Sequence, residues 1–85
     1  MYRVRWTRRA INQLASIWMG ATDRNAITQA SHRIDVALAS DPIAASESRP
    51  NGERVMYESP LGARFRVHSK TRTVRVHLCW QIRLV

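Results

Sequence analysis

The sequence predicts an α+β domain in which a helical hairpin packs on one face of a small, mainly antiparallel sheet. Three observations carry this expectation. Apolar and polar residues alternate at 2–6, 63–69 and 74–81, the period-two pattern of half-buried strands. Between the first and second of these segments, apolar residues recur at three- and four-residue spacing over two stretches, the stripe of amphipathic helices. The C-terminal strands are separated only by short turn-forming segments, so they should pair as an antiparallel meander.

Each element has its own local reason. Tyr2, Val4 and Trp6 fall on one side of the first strand, with Arg3 and Arg5 on the other. Thr7 stands as the N-cap of a first helix whose stripe is Ala10, Ile11, Leu14, Ile17 and Trp18, ending near Gly20. Thr22 or Asp23 caps a second helix, with the stripe Ile27, Ala30, Ile34, Ala37 and Leu38. It stops by Asp41-Pro42, because the residue before proline avoids helical geometry. The short link between the two makes a helical hairpin. Residues 41–53 carry prolines, a glycine and small polar residues, and read as one long loop. A short strand follows over 54–58, then a turn at Ser59-Pro60-Leu61-Gly62. In the next strand Phe65 and Val67 oppose Arg64, Arg66 and His68; Lys70-Thr71-Arg72 then turns the chain. In the last strand Val74, Val76, Leu78 and Trp80 oppose Arg75, His77, Cys79 and Gln81. The order is β-α-α-β-β-β in a single domain, 1–85, and the first strand must join the sheet to find a partner. Trp6 and Trp18 are expected in the core, and Trp80 near an opening sheet edge.

Composition bounds the function. A domain of 85 residues buries only about 60 % of its unfolded surface, so a large enclosed active site is not expected. Lys+Arg is 14 against 6 Asp+Glu, for a net charge of +8, and all but one of the basic residues are arginine. Arginine offers a planar fork suited to phosphate and carboxylate, so the charge points to a polyanion or an acidic partner. Cys79 is the only cysteine, which excludes an internal disulfide and disfavours zinc. No cofactor is implied. No apolar run reaches membrane-spanning length, and the start MYRVRW lacks the apolar stretch of a signal peptide. A cytoplasmic protein is expected.

The strand phases place Arg3, Arg5, Arg64, Arg66, His68, Arg75, His77 and Gln81 together on the face away from the helices. Like charges side by side on a sheet are destabilising, so the cluster asks for a compensating reason. A phosphate-binding surface is one; an ordinary solvated face is the plainer alternative. His68 and His77 could serve there as a general acid or base, or as polar filler. Glu47, Glu53 and Glu58 are the nearest acids. A glutamate beside the arginines could take a proton from a ribose 2′-hydroxyl; the plainer reading is a loop salt bridge, for example Glu47 with Arg49.

Several phrases resemble the RelE/ParE family of bacterial toxins. The start YRVRWTRRAINQLASIW is similar to their opening strand and helix. DPIAASESRPNGERV is similar to their exit from the second helix and the loop after it, with Ser46 in place of a glycine before Glu47-Ser48-Arg49. LGARFRV and TVRVHLCW resemble their last two strands. The resemblance spans nearly the whole chain and implies the toxin half of a type II toxin–antitoxin pair, held inactive by a cognate antitoxin protein. It implies one of two targets: mRNA in the ribosome, cleaved by RelE-like members, or DNA gyrase, inhibited by ParE-like members. By resemblance to YoeB-type nucleases, Glu47 matches the base and Arg64 the arginine on the scissile phosphate. The His-Tyr pair that ends that pattern is absent, since Ile82 and Arg83 occupy its positions; only a repositioned His77 or His68 could supply the acid. Nucleic-acid contacts are expected from Arg54, Arg66, His68, Arg75, His77 and Arg83. A non-toxic basic binding module is the remaining alternative.

Overall fold

Thr7 and Asp23 each start a helix in the computed structural model, which describes residues 1–83. The Thr7 hydroxyl accepts from the Ala10 N–H at 3.2 Å, and the Asp23 carboxylate from the Ala26 N–H at 3.1 Å. These caps satisfy donors that the first turns of α1 (Arg8–Gly20) and α2 (Arg24–Ser40) would otherwise leave unpaired. The two helices lie together on one face of the sheet, as the apolar stripes require. Among the described residues no helix is long and apolar enough to cross a membrane.

The sheet has five strands: β1 (Arg3–Trp6), β2 (Glu47–Ser48), β3 (Glu53–Glu58), β4 (Leu61–His68) and β5 (Thr73–Gln81), in the order β1-β5-β4-β3-β2. β1 pairs parallel with β5, and the other pairs are antiparallel. The extra strand lies inside the expected long loop. Asn51 and Gly52 take positive φ values of 65° and 75°. They fold the chain back so that Arg49 N donates to Glu53 O at 2.8 Å and Glu47–Ser48 lies along Arg54–Val55. The turn at residue 59 is also tighter than its composition suggests, because Leu61 and Gly62 already belong to β4.

Ala10, Ile27, Ala30, Ile34 and Leu38 from the helices meet Met56, Leu61, Ala63, Phe65, Val74, Val76 and Cys79 from the sheet in one core. Trp6 packs against this core, and its indole N–H donates to Asp35 at 2.6 Å. Trp18 does not enter it. Its ring is 40 % exposed on the outer side of α1, with the Arg24 guanidinium 4.5 Å above it. The helix needs only its narrower stripe, Ala10, Leu14 and Ile17, to close the sheet.

The last strand departs most from its apparent alternation. Arg64 lies opposite Leu78, but Phe65 lies opposite Val76, so His77 is an extra, unpaired residue. One inserted residue reverses which face every later side chain takes. Cys79 therefore enters the core, while Leu78 and Trp80 turn to the uncovered face. Gln81 lies opposite Leu61, on the helix side, and not among the arginines.

Candidate functional site

Beside the row of His68, Thr73 and Arg3, three rows of cross-strand neighbours make up the uncovered face. Glu53, Arg66, Arg75 and Arg5 form the first, on β3, β4, β5 and β1. Glu47, Val55, Arg64 and Leu78 form the second; Tyr57, Gly62 and Trp80 form the third. The His77 bulge sits between the first two rows.

Glu53 is where these side chains converge. Arg64 Nε donates to its Oε1 at 2.5 Å and Arg66 Nε to its Oε2 at 3.1 Å. His77 Nε2 lies 3.0 Å from Oε2. That contact is close but out of line, so His77 Nε2 is buried without a hydrogen-bond partner. The Glu53 side chain is only 12 % exposed. Burial alone would raise its pKa, but the Arg64 hydrogen bond and the charges of His77, Arg64 and Arg66 outweigh it and hold the carboxyl below its ordinary value. The compensating acid that the arginine cluster lacked in the sequence is thus Glu53. It looks like the last residue of a loop, yet it is the first of β3. Its spacing of two from Val55 is the one signal that could have placed it on this face.

The arrangement brings together a carboxylate able to take a proton, an imidazole able to give one, and two guanidinium groups suited to phosphate charge. Both arginines reach Glu53 through Nε, and among the described residues no hydrogen bond engages their terminal nitrogens, which suit another anion. Among the described residues no group of three or more His, Cys, Asp or Glu could hold a metal ion.

Solved structures share this architecture. The toxin–antitoxin complex RelBE2 of Mycobacterium tuberculosis aligns with a TM-score of 0.78 at 16 % identity, over 94 % of this chain and 90 % of that one. A chromosomal ParDE system of P. aeruginosa aligns at 0.73 and 18 %, over 98 % of both chains. The isolated E. coli RelE toxin aligns at 0.69 and 16 %, over all of this chain and 88 % of its own. The chain has the RelE/ParE toxin fold. No protein-family model matches its sequence, and no curated protein does.

On this RelE/ParE frame the expected site residues divide. Arg64, Arg66 and His77 are brought together around Glu53. Glu47 is not. It lies on β2 with β3 between it and Arg64, two strand spacings or about 10 Å away, and its largely exposed carboxylate pairs with Arg49 at 3.0 Å. Arg54 faces the helix side, where Nε donates to Ser46 Oγ at 2.7 Å and Nη2 to the carbonyls of Ser46 and Ile43. It pins the loop after α2 and is not free for nucleic acid. Arg83 lies beyond β5 and lines a cleft of about 450 Å³ with Gln13, Ser16 and Gly20, on the α1 side. His68 and Arg75 do lie on the uncovered face. With Arg5 they line a shallow cleft of about 500 Å³ near β1, away from Glu53. Cys79 is buried, and burial pushes its thiol pKa up to about 11, which suits filler and not a nucleophile.

Proposed function

We propose that this chain is the toxin of a type II toxin–antitoxin pair, and that its free form cleaves RNA at Glu53. The observation that carries this reading is the convergence of Arg64, Arg66 and His77 within 3.1 Å of one carboxylate. In this reading His77 supplies the acid in place of the missing His-Tyr pair, and Glu53 takes the role of base in place of Glu47.

The chemistry is transesterification. Glu53 takes the proton of a ribose 2′-hydroxyl, and the 2′ oxygen attacks the adjacent phosphorus. The bond to the 5′ oxygen breaks as that oxygen takes a proton from the His77 ring, which is 29 % exposed. Arg64 and Arg66 hold the additional negative charge on the phosphoryl oxygens. The products are a 2′,3′-cyclic phosphate and a 5′-hydroxyl. The face is open and shallow, so an outside scaffold must hold the substrate in line; mRNA in the ribosome meets that need. The RelBE and ParDE complexes of similar fold support a cognate antitoxin as the partner. In this reading the antitoxin covers the basic face and the toxin acts in the cytoplasm.

Induced alone, the chain should arrest growth and leave cut mRNA, mapped by primer extension. Glu53→Gln and His77→Ala should each lower cleavage about 10²–10⁴-fold. Arrest with intact transcripts would reject the nuclease. It would favour the second reading, gyrase inhibition, whose support is that Glu53 already neutralises Arg64 and Arg66 at rest. That reading requires loss of supercoiling by purified gyrase.

A further inference from the structure

The third row of the uncovered face is aromatic, and neither the Glu53 cluster nor the core uses it. Gly62 has no side chain, and a Cβ there would lie 2.4 Å from Trp80 Cε2, 2.6 Å from Cζ2 and 2.7 Å from Nε1. A point that close to a ring-fusion carbon and both its outer neighbours lies over the ring, not beside it. The indole is therefore laid flat across the β4 backbone. Tyr57, on the far side of Gly62, stands edge-on to it, with centroids 6.2 Å apart and planes at 80°. Tyr57 is 53 % exposed. The pair makes a floor and a wall.

Alone, an exposed tyrosine is ordinary. Here the corner lies one row from Arg64, about 7 Å along the strands. A planar group settling on the indole would carry its attached phosphate towards the terminal nitrogens of Arg64 and Arg66. Aromatic floors beside arginines bind single-stranded nucleic acid in this way, with little preference among bases.

We infer that Trp80 and Tyr57 form a base-stacking subsite, holding the nucleobase next to a phosphate gripped by Arg64 and Arg66. The inference rests on the nucleic-acid reading of this face but not on cleavage. It assigns the floor to Trp80, the wall to Tyr57 and the anchoring space to Gly62.

The test uses the whole chain and a short single-stranded DNA oligonucleotide, which lacks the 2′-hydroxyl and cannot be cut. Its partner is an abasic oligonucleotide of equal length and charge. The base-bearing strand should bind about fivefold to a hundredfold more tightly per stacked base and quench tryptophan fluorescence. Tyr57→Ala should weaken only the base-bearing strand, Tyr57→Phe should retain its affinity, and Trp80→Phe should remove most of the quench. Equal binding of both strands, unchanged by Tyr57→Ala, overturns the subsite while leaving phosphate binding intact. Absence of binding at low salt overturns it together with any nucleic-acid role. Intact cellular transcripts beside base-dependent affinity would remove the nuclease and leave the subsite standing.

Discussion

The two faces of this sheet meet the same inserted residue in opposite ways. On the covered face the bulge at His77 replaces Leu78 with Cys79, and the core closes with a smaller side chain between Ala63 and the helices. On the other face His77 keeps its side, and the bulge brings Leu78 and Trp80 where uninterrupted alternation would have put Cys79 and Gln81. The core stays apolar; the other face gains an aromatic floor. A core constrains volume and polarity, whereas an uncovered face can accept whatever chemistry the register delivers.

That contrast predicts a graded response to substitution. Phe65 is fully buried on the covered face, so Phe65→Ala should cost about 3–5 kcal/mol, read from denaturant midpoints. A loss below about 1 kcal/mol would mean that the helices do not hold the sheet as described. Glu53→Ala should cost less, about 1–3 kcal/mol, because it leaves Arg64 and Arg66 without their shared acceptor. The same group sets an acid dependence. Its folded pKa lies below its unfolded one, so its stabilisation is complete above the ordinary carboxyl value near about 4.3 and disappears as pH falls through the lower folded value. Thermal midpoints of wild type and Glu53→Gln should therefore converge below pH about 4. Parallel curves would show that Glu53 is not ion-paired. The smallest effect belongs to Leu78, half-buried on the uncovered face: Leu78→Ala should cost below about 1 kcal/mol. A core-sized loss there would restore the uninterrupted alternation and remove the bulge.

Much of this organisation was legible in the residues. The stripes of α1 and α2, their Thr7 and Asp23 caps and the period-two strands give the architecture, because each is a short-range pattern. Arg64, Arg66 and His77 could be assigned to one face for the same reason. Trp18 could not be told from a core residue, since a stripe does not state how wide a surface the sheet presents. The bulge was hidden, because an unpaired residue is defined by the partner strand and leaves no mark in its own. Glu53 was counted among the nearby acids but not placed on the face: Pro50, Asn51 and Gly52 have loop chemistry, and the strand begins immediately after them. Glu47 drew attention because it lies in a familiar phrase, yet β3 separates it from Arg64.

The parallel pairing of β1 with β5 has a consequence in time. Arg5 faces Arg75 across a separation of 70 residues. At about 5–20 residues per second, synthesis takes about 4–14 s to cover that distance. For that interval β1 has no sheet to join, and the hairpin of α1 and α2 has little surface to cover. The long-range contact that completes the basic face is thus among the last available to the growing chain, and a nascent fragment lacking β5 presents neither the Glu53–His77 contact nor the Trp80 floor.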